Sequence, residues 1–490
     1  MQTLKKLAIW GIPLLFAVLL IAAIVATWYM QYREQDNTPD EQKLARTLEI
    51  IRTSTPEHHK VLKVLFYGQS ITRSGWTPSV VDHWRQIYPN TVFVVQNRAL
   101  GGYPAQALVR ATEQDIAEFY PDLIVFHVYG DHRAYGKIIR LFRSRTTADI
   151  LVQTDHAEIM PEPHCAEGLH LTLHPPPGCA GHLWYHQRNW SDEMSYHKIP
   201  ALAKEYGLAV EPQRDWWLQY LKATGTRPAD LLADEVHPND RGKQLIAEFF
   251  NRYFDGLVTK YNGEQASDVK TLAPTPAERA SGNETVHLEG SRLELVGNKP
   301  LPAWPTVTID GQSPASFDGC YQITRPSALE TIPDWPIIRR ITLMHDHVVE
   351  DWTATLTDFS PDQKDFAFTV QATKSGQQGS GHSGQRFVSN NGALAIDPDD
   401  WMVERAWHQT HIALQGPLQI HWSVRYVCGG EPEITGLGNG TMEYRYILAA
   451  GLATAAHTVS IQGPVDDFRI LDHFIAYTPR IHTAELVDGW

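Results

Sequence analysis

The sequence predicts an α/β domain built on a parallel sheet with helices on both faces, followed by an all-β sandwich or jelly-roll domain, with one transmembrane helix ahead of both. Three observations lead there. Between residues 60 and 258 short apolar runs alternate with helical patterns, the pattern of βαβ units. From about residue 286 the period drops to two, with Gly, Pro and Asp between the runs, which suits antiparallel strands packed face to face. Leu7–Met30 contains no charged residue and exceeds the roughly 20 residues needed to cross a bilayer.

Lys5 and Lys6 precede that apolar run, so residues 1–6 are expected in the cytoplasm and the rest outside it. Trp10 stands near one end and Trp28, Tyr29 and Tyr32 near the other, where aromatic side chains favour the interface. Pro13 sits near the start, where a missing N–H costs least. A cleaved signal peptide would have an apolar region of about 7–15 residues and a small-residue cleavage site; this run is longer and no such site follows. Residues 7–30 are therefore read as a signal anchor, expected in a bacterial inner membrane with the bulk of the chain periplasmic or extracellular. Residues 31–59 are polar and charged, read as a juxtamembrane stalk that includes a short helix, EQKLARTLEIIR.

In the α/β region KVLFYG, TVFVVQN, DLIVFHVYG, DILVQTDH and LAVEP read as strands. PSVVDHWRQIY, AQALVRATEQDIAEFY, YGKIIRLFRSR, EMSYHKIPALAKEYG, RDWWLQYLKA and GKQLIAEFFNRYFDGLV read as helices between or after them. The Pro/Ala/Thr-rich stretch within 259–285 reads as a linker, and 286–482 as the β-sandwich, with runs such as TVHLEG, RLELVG, TVTIDG, DFAFTVQA and QIHWSVRYV.

The chain has 490 residues and a net charge of -14, which argues against nucleic acid as a partner because phosphate binding needs a basic patch. Its 15 tryptophans suit flat sugar rings, and equally suit ordinary core packing. The four cysteines, Cys165, Cys179, Cys320 and Cys428, are an even number in a compartment where disulfides persist. A local Cys165–Cys179 bridge would order a Pro/Gly/His-rich loop and leave Cys320 to pair with Cys428; free buried thiols are the alternative.

Ligands of an open parallel sheet bind at the carboxyl ends of its strands. After the first strand comes Gly68-Gln69-Ser70, after the second Asn97-Arg98-Ala99-Leu100-Gly101-Gly102, and after the third Gly130-Asp131-His132. Before the last helix comes Asp234-Glu235-Val236-His237-Pro238-Asn239. Together these supply a hydroxyl nucleophile, an imidazole base, a carboxylate to orient it and donors for an oxyanion, the parts of acyl transfer.

Over roughly residues 62–256 this set resembles the SGNH/GDSL hydrolase family. Gly68-Gln69-Ser70 matches its Gly-Asp-Ser motif, Gly102 its glycine N–H after the second strand, and Asp234-x-x-His237 its Asp-x-x-His pair. The resemblance implies a flavodoxin-like SGNH sheet with Ser70, Asp234 and His237 catalytic, and Ser70 N–H, Gly102 N–H and His132 around the oxyanion. Gln69 replaces the usual aspartate, which carries no essential chemistry. Aligned on Gly130, His132 stands where the family's oxyanion asparagine does, and an imidazole N–H can still donate. The implied function is a serine acyl esterase removing O-acetyl groups from a polysaccharide or envelope glycan, without a cofactor. The alternatives are a glycan O-acetyltransferase within an exopolysaccharide synthesis and acetylation complex, and a decayed scaffold that binds glycan.

Other patterns are weaker. Histidines crowd residues 156–197 (His156, His164, His170, His174, His182, His186 and His197) without H-E-x-x-H or zinc-type Cys/His spacing, so no metal is expected. GSGHSG (379–384) reads as a Gly-rich turn, and DPDDW (397–401) as a solvated loop rather than a calcium site. Sequons at Asn189, Asn283 and Asn439 matter only in a glycosylating host.

Overall fold

Alternation of buried apolar strands with amphipathic helices yields a five-stranded parallel sheet in the order β2-β1-β3-β4-β5. Its strands are β1 Lys60–Gly68, β2 Thr91–Asn97, β3 Leu123–His127, β4 Asp149–Gln153 and β5 Ala209–Glu211. β1, β3 and β4 are buried almost throughout, as strands covered on both faces must be. The computed structural model describes residues 38–157, 190–263, 268–273, 282–328, 332–344, 347–464 and 471–481.

The helices are α1 Asp40–Lys43, α2 Ala45–Thr53, α3 Ser70–Arg73, α4 Thr77–Ile87, α5 Ala105–Phe119, α6 His132–Arg145, α7 Ile199–Tyr206, α8 Gln213–Thr224, α9 Asp240–Lys260 and, late in the chain, α10 Val403–Thr410. One face of the sheet, with Val64, Phe66 and Val125, packs on Trp76 and Trp84 and on Ile246 and Phe250 of α9. The other face, with Leu65, Tyr67, Ile124 and Phe126, packs on α5 and α6 through Leu108, Ile116, Ile138 and Phe142. Strand order reverses between β1 and β3, so their carboxyl ends border a crevice.

The second half is more divided than a single sandwich over 286–482. Strands Asn283–Gly290, Arg292–Gly297 and Thr306–Ile309 pair with Glu433–Gly436, Met442–Ala449, Ala455–Gln462 and Leu471–Tyr477 in two sheets that share a core of Leu288, Leu295, Ile309, Leu448, Ile461 and Phe474. Residues 321–426 are inserted between these halves. They form a seven-stranded antiparallel sheet centred on Leu418–Tyr426 and Asp351–Thr357, a three-stranded sheet and α10. Apolar residues of the insert, among them Trp352, Phe368, Ile420 and Ile396, are continuous with the α5–α6 side of the parallel sheet. Cys320 and Cys428 are bonded and join the two ends of the insert.

Two assigned connections also belong to the folded body. α1 and α2, placed in the stalk by sequence, bury Leu44, Leu48 and Ile51 against the sheet, and Thr47 N–H donates to Asp149 at 2.8 Å. The strand Val269–Leu272, inside the assigned linker, pairs with Leu471–Tyr477. The described residues from Asp40 onward form one compact unit. The segment 7–30, Cys165, Cys179, Asn189 and the histidines from His164 to His186 lie outside the described residues. Among the described residues no helix is long and apolar enough to cross a membrane.

Ion pairs join the layers. The Arg325 guanidinium binds Asp115 in a bidentate pair at 2.7 and 2.9 Å, and the Tyr67 hydroxyl donates to the same carboxylate at 2.9 Å. Asp115 is 1% exposed, so its charge depends on these partners. Replacing Arg325 with Met is expected to destabilise the chain by roughly 3–5 kcal/mol, the cost of stranding a buried charge; an unchanged urea midpoint would refute this account of the interface.

Burial pushes the Glu211 carboxyl up to about 8, against a hydrogen bond from Gln153 that pulls it down. Between its ordinary value of 4.5 and about 8 the folded chain keeps a proton that the unfolded chain has released, so stability falls as pH rises through that window. Glu211→Gln should flatten the fall, as read from urea unfolding at pH values on either side of the window; an unaltered slope would assign it to other groups.

Candidate active site

Ser70, Asp234 and His237 come together at the carboxyl edge of β1. Gly68 ends β1 at φ +153°, and a Cβ there would stand 1.9 Å from the His127 carbonyl oxygen, so only glycine lets the strand finish this close to β3. The chain turns at Gln69 into α3, of which Ser70 is the first residue.

Asp234 organises its own loop. One carboxylate oxygen accepts from the N–H groups of Val236 at 2.8 Å and His237 at 2.7 Å; the other lies 2.8 Å from His237 Nδ1. His237 Nε2 is 2.9 Å from Ser70 Oγ. With Nδ1–H donated to the carboxylate, the Nε2 lone pair faces the hydroxyl, the tautomer a general base needs. Burial works against the charge on Asp234, but the N–H groups of His237 and Val236 and the His237 ring outweigh it and hold the carboxyl below its ordinary value. Asn239 caps α9 by accepting from Gly242 N–H at 3.1 Å, and the loop is tied back by Ala233 N–H to the His237 carbonyl at 2.7 Å.

Two cavities meet at Ser70 and His237. The first, about 450 Å³, is lined by Gln69, Ser70, Ile71, His127, Tyr129, Asp155 and Asp234 through His237. The second, about 640 Å³, adds Arg73, Gly101 and Lys243 of the α/β part and Trp335, Gln409 and Thr410 of the inserted β module. Trp335 Nε1 donates to the Gly101 carbonyl at 3.0 Å. Gly102 adopts φ +74°, and a Cβ there would collide with the Gln409 carboxamide at 2.0 Å, while its carbonyl accepts from Arg405. The module thus forms one wall beside the serine.

Neither Gly102 nor His132 is among the residues that line these two cavities. Asp131 caps α6 by accepting from Ala134 N–H at 2.7 Å, which makes His132 its first residue, with its ring 5.5 Å from that of Trp190. Burial, and then Lys198, lower the pKa of the ring, which disfavours the imidazolium. The third strand instead reaches the first cavity through His127. Its Nε2 lies 3.2 Å from Asp155, the residue shortly after β4 in the run TDH. Neither residue was singled out by sequence; the signal was a polar side chain at the carboxyl end of each central strand.

The remaining candidates have structural partners. Among the described residues no cluster of three or more His, Cys, Asp or Glu side chains is placed to hold a metal. In DPDDW, Asp400 pairs with Arg110 at 2.5 and 2.7 Å and with Arg339 at 3.4 Å. In GSGHSG, Ser383 Oγ accepts from Phe366 N–H and donates to the Lys364 carbonyl.

No family model matches the chain, and no curated protein does. Among solved structures it is similar to a two-domain esterase (CEX) active on acetylated mannans, co-crystallised with mannopentaose. The identity is 12% and the TM-score 0.33, with 90% of this chain and 95% of that chain covered. It is also similar to a catalytic mutant of Axe2, an acetylxylan esterase from Geobacillus stearothermophilus, at 17% identity and TM-score 0.31, covering 39% and 93%. LAE5, an α/β hydrolase enzyme from the metagenome of Lake Arreo, gives 17% and 0.30, covering 41% and 96%. Likenesses this low carry no functional argument.

If Asp234 sets the His237 tautomer, Asp234→Asn should lower any Ser70-dependent hydrolysis of an aryl acetate about 10⁴-fold by inverting it, with little change in thermal midpoint because the two side chains are 44% and 58% exposed. A loss below about tenfold on an aryl acetate would remove Asp234 from this role.

Proposed function

We propose that the chain is a serine acyl esterase of SGNH type that removes O-acetyl groups from a polysaccharide or envelope glycan, anchored to a membrane by residues 7–30. The observation that carries the reading is the unbroken line from Asp234 through His237 to Ser70, at 2.8 and 2.9 Å, with Ser70 and His237 lining both cavities. In the proposed cycle Ser70 Oγ attacks the ester carbonyl as its proton passes to His237 Nε2. Asp234 stabilises the imidazolium, and the N–H groups of Ser70 and Gly102 receive the oxyanion. His237 returns the proton to the departing sugar oxygen, leaving an acetyl-Ser70. Water, deprotonated by His237, then releases acetate and regenerates the serine.

A sugar ester is supported by the second cavity, where Arg73, Lys243, Gln409 and Thr410 offer polar groups of the kind that orient a polar ligand.

Wild-type protein should hydrolyse para-nitrophenyl acetate and release acetate from an acetylated oligosaccharide, and Ser70→Ala should lower both rates by at least about 10³-fold. Equal rates for the two proteins would sink the catalytic reading. Acetyl transfer to an added oligosaccharide in preference to water would make the chain an acetyltransferase instead.

A further inference from the structure

The two cavities that meet at Ser70 differ in charge. The first has three carboxylates in its lining, Asp155, Asp234 and Glu235. The second has two cationic side chains, Arg73 and Lys243, and no carboxylate. Arg73 comes three residues after Ser70 on α3, so the two side chains leave neighbouring positions of one helical turn, about 5–6 Å apart at Cβ. Arg73 is exposed, and its side chain has no hydrogen bond or ion pair among the described residues. Lys243 Nζ, by contrast, lies 2.9 Å from the fully exposed carboxylate of Asp240.

A cation that has no protein partner and lines a cavity beside the nucleophile is available to a ligand. A guanidinium presents a planar fork of N–H donors that matches a carboxylate in two parallel bonds. It also stays charged wherever an imidazole can act as base. Arg73, Lys243 and Asp240 together sum to a single positive charge, which suits a carboxylate monoanion better than a phosphate dianion. The net charge of the chain is -14, so its general field repels anions, and an anion held here is held by these local groups.

We propose that the second cavity takes a sugar bearing a carboxylate, so that the preferred substrate is an O-acetylated uronic acid unit of an acidic glycan, with Arg73 the specificity residue for that carboxylate. The inference rests on the esterase reading above and names its substrate class.

Three probes test it on the full-length protein: the methyl glycoside of a mono-O-acetylated hexuronic acid, the same compound with its carboxylate converted to the neutral carboxamide, and para-nitrophenyl acetate. At low ionic strength wild type should favour the carboxylate over the carboxamide by at least about fivefold in kcat/KM. The preference should shrink towards unity in about 1 M salt, where the screening length falls to about 3 Å. Arg73→Gln should cut it below about twofold, and Arg73→Lys, which keeps the charge without the fork, should retain part of it. A preference that survives Arg73→Gln, through equal losses on both sugar esters, would place Arg73 in the chemistry or the fold and overturn the proposal. So would a wild type that does not discriminate, a result that needs no variant to fold. Absence of Ser70-dependent turnover of the aryl acetate would instead defeat the esterase reading itself, and this inference with it.

Discussion

The close contact between the ends of β1 and β3 is the constraint on which the site depends. Gly68 and His127 are paired in register, and the space a side chain would need at residue 68 is filled by the His127 carbonyl. Because β1 can end against its neighbour, α3 starts at the sheet edge and presents Ser70 to a histidine 167 residues away in sequence. A 2.9 Å contact between such distant residues survives only if both are fixed to the same frame, and misplacement by about 1 Å can reduce a rate by about 10². The loop after β2 is fixed to that frame as well, with Leu100 N–H donating to the Gly68 carbonyl at 2.9 Å and Asn97 donating to the Thr72 carbonyl at 3.0 Å.

That loop is clamped from the other side by the inserted β module. Tyr103 donates to the Pro336 carbonyl at 2.7 Å, Trp335 to Gly101 and Arg405 to Gly102. The glycine proposed to hold the oxyanion is therefore positioned between two layers, and the buried Arg325–Asp115 pair beneath holds those layers in register. Replacing such a pair with apolar residues is often neutral for stability. What it adds here is orientation, because a bidentate guanidinium allows one relative placement of α5 and the strand region near residue 325.

Much of this was legible in the sequence, for identifiable reasons. Central strands such as VLFYG and LIVFH are apolar throughout because both faces are covered, and Asp234-x-x-His237 closes its ring within one short loop, so no long-range geometry had to be guessed. The insertion of 321–426 was not legible. Period two reports that a residue faces a core without saying which core, and Tyr321–Ile323 pairs with residues about a hundred positions later. The stripe Leu44, Leu48 and Ile51 at helical spacing was a sign that the segment read as a stalk packs onto the sheet. Aligning on Gly130 puts His132 at the start of a helix capped by Asp131, and the strand-end residue that lines the first cavity lies five positions earlier.

The two carboxylates near Ser70 divide the work according to burial. Asp234 is 58% exposed, suited to a group whose partner would change charge in the proposed cycle. Asp155 is 8% exposed, and a charge so enclosed is tolerable only with all its partners in place. Those partners include His156, whose Nε2 lies 2.7 Å from the Val236 carbonyl, inside the loop that carries Asp234 and His237. Since a carbonyl only accepts, that ring nitrogen must donate. The buried carboxylate is thereby linked through the backbone N–H and ring of His156 to the loop of Asp234 and His237 and through His127 to the wall of the cavity. Removing its charge would weaken both links at once, so a carboxylate outside the Ser70–His237–Asp234 line adds to the bonds that hold that line in place.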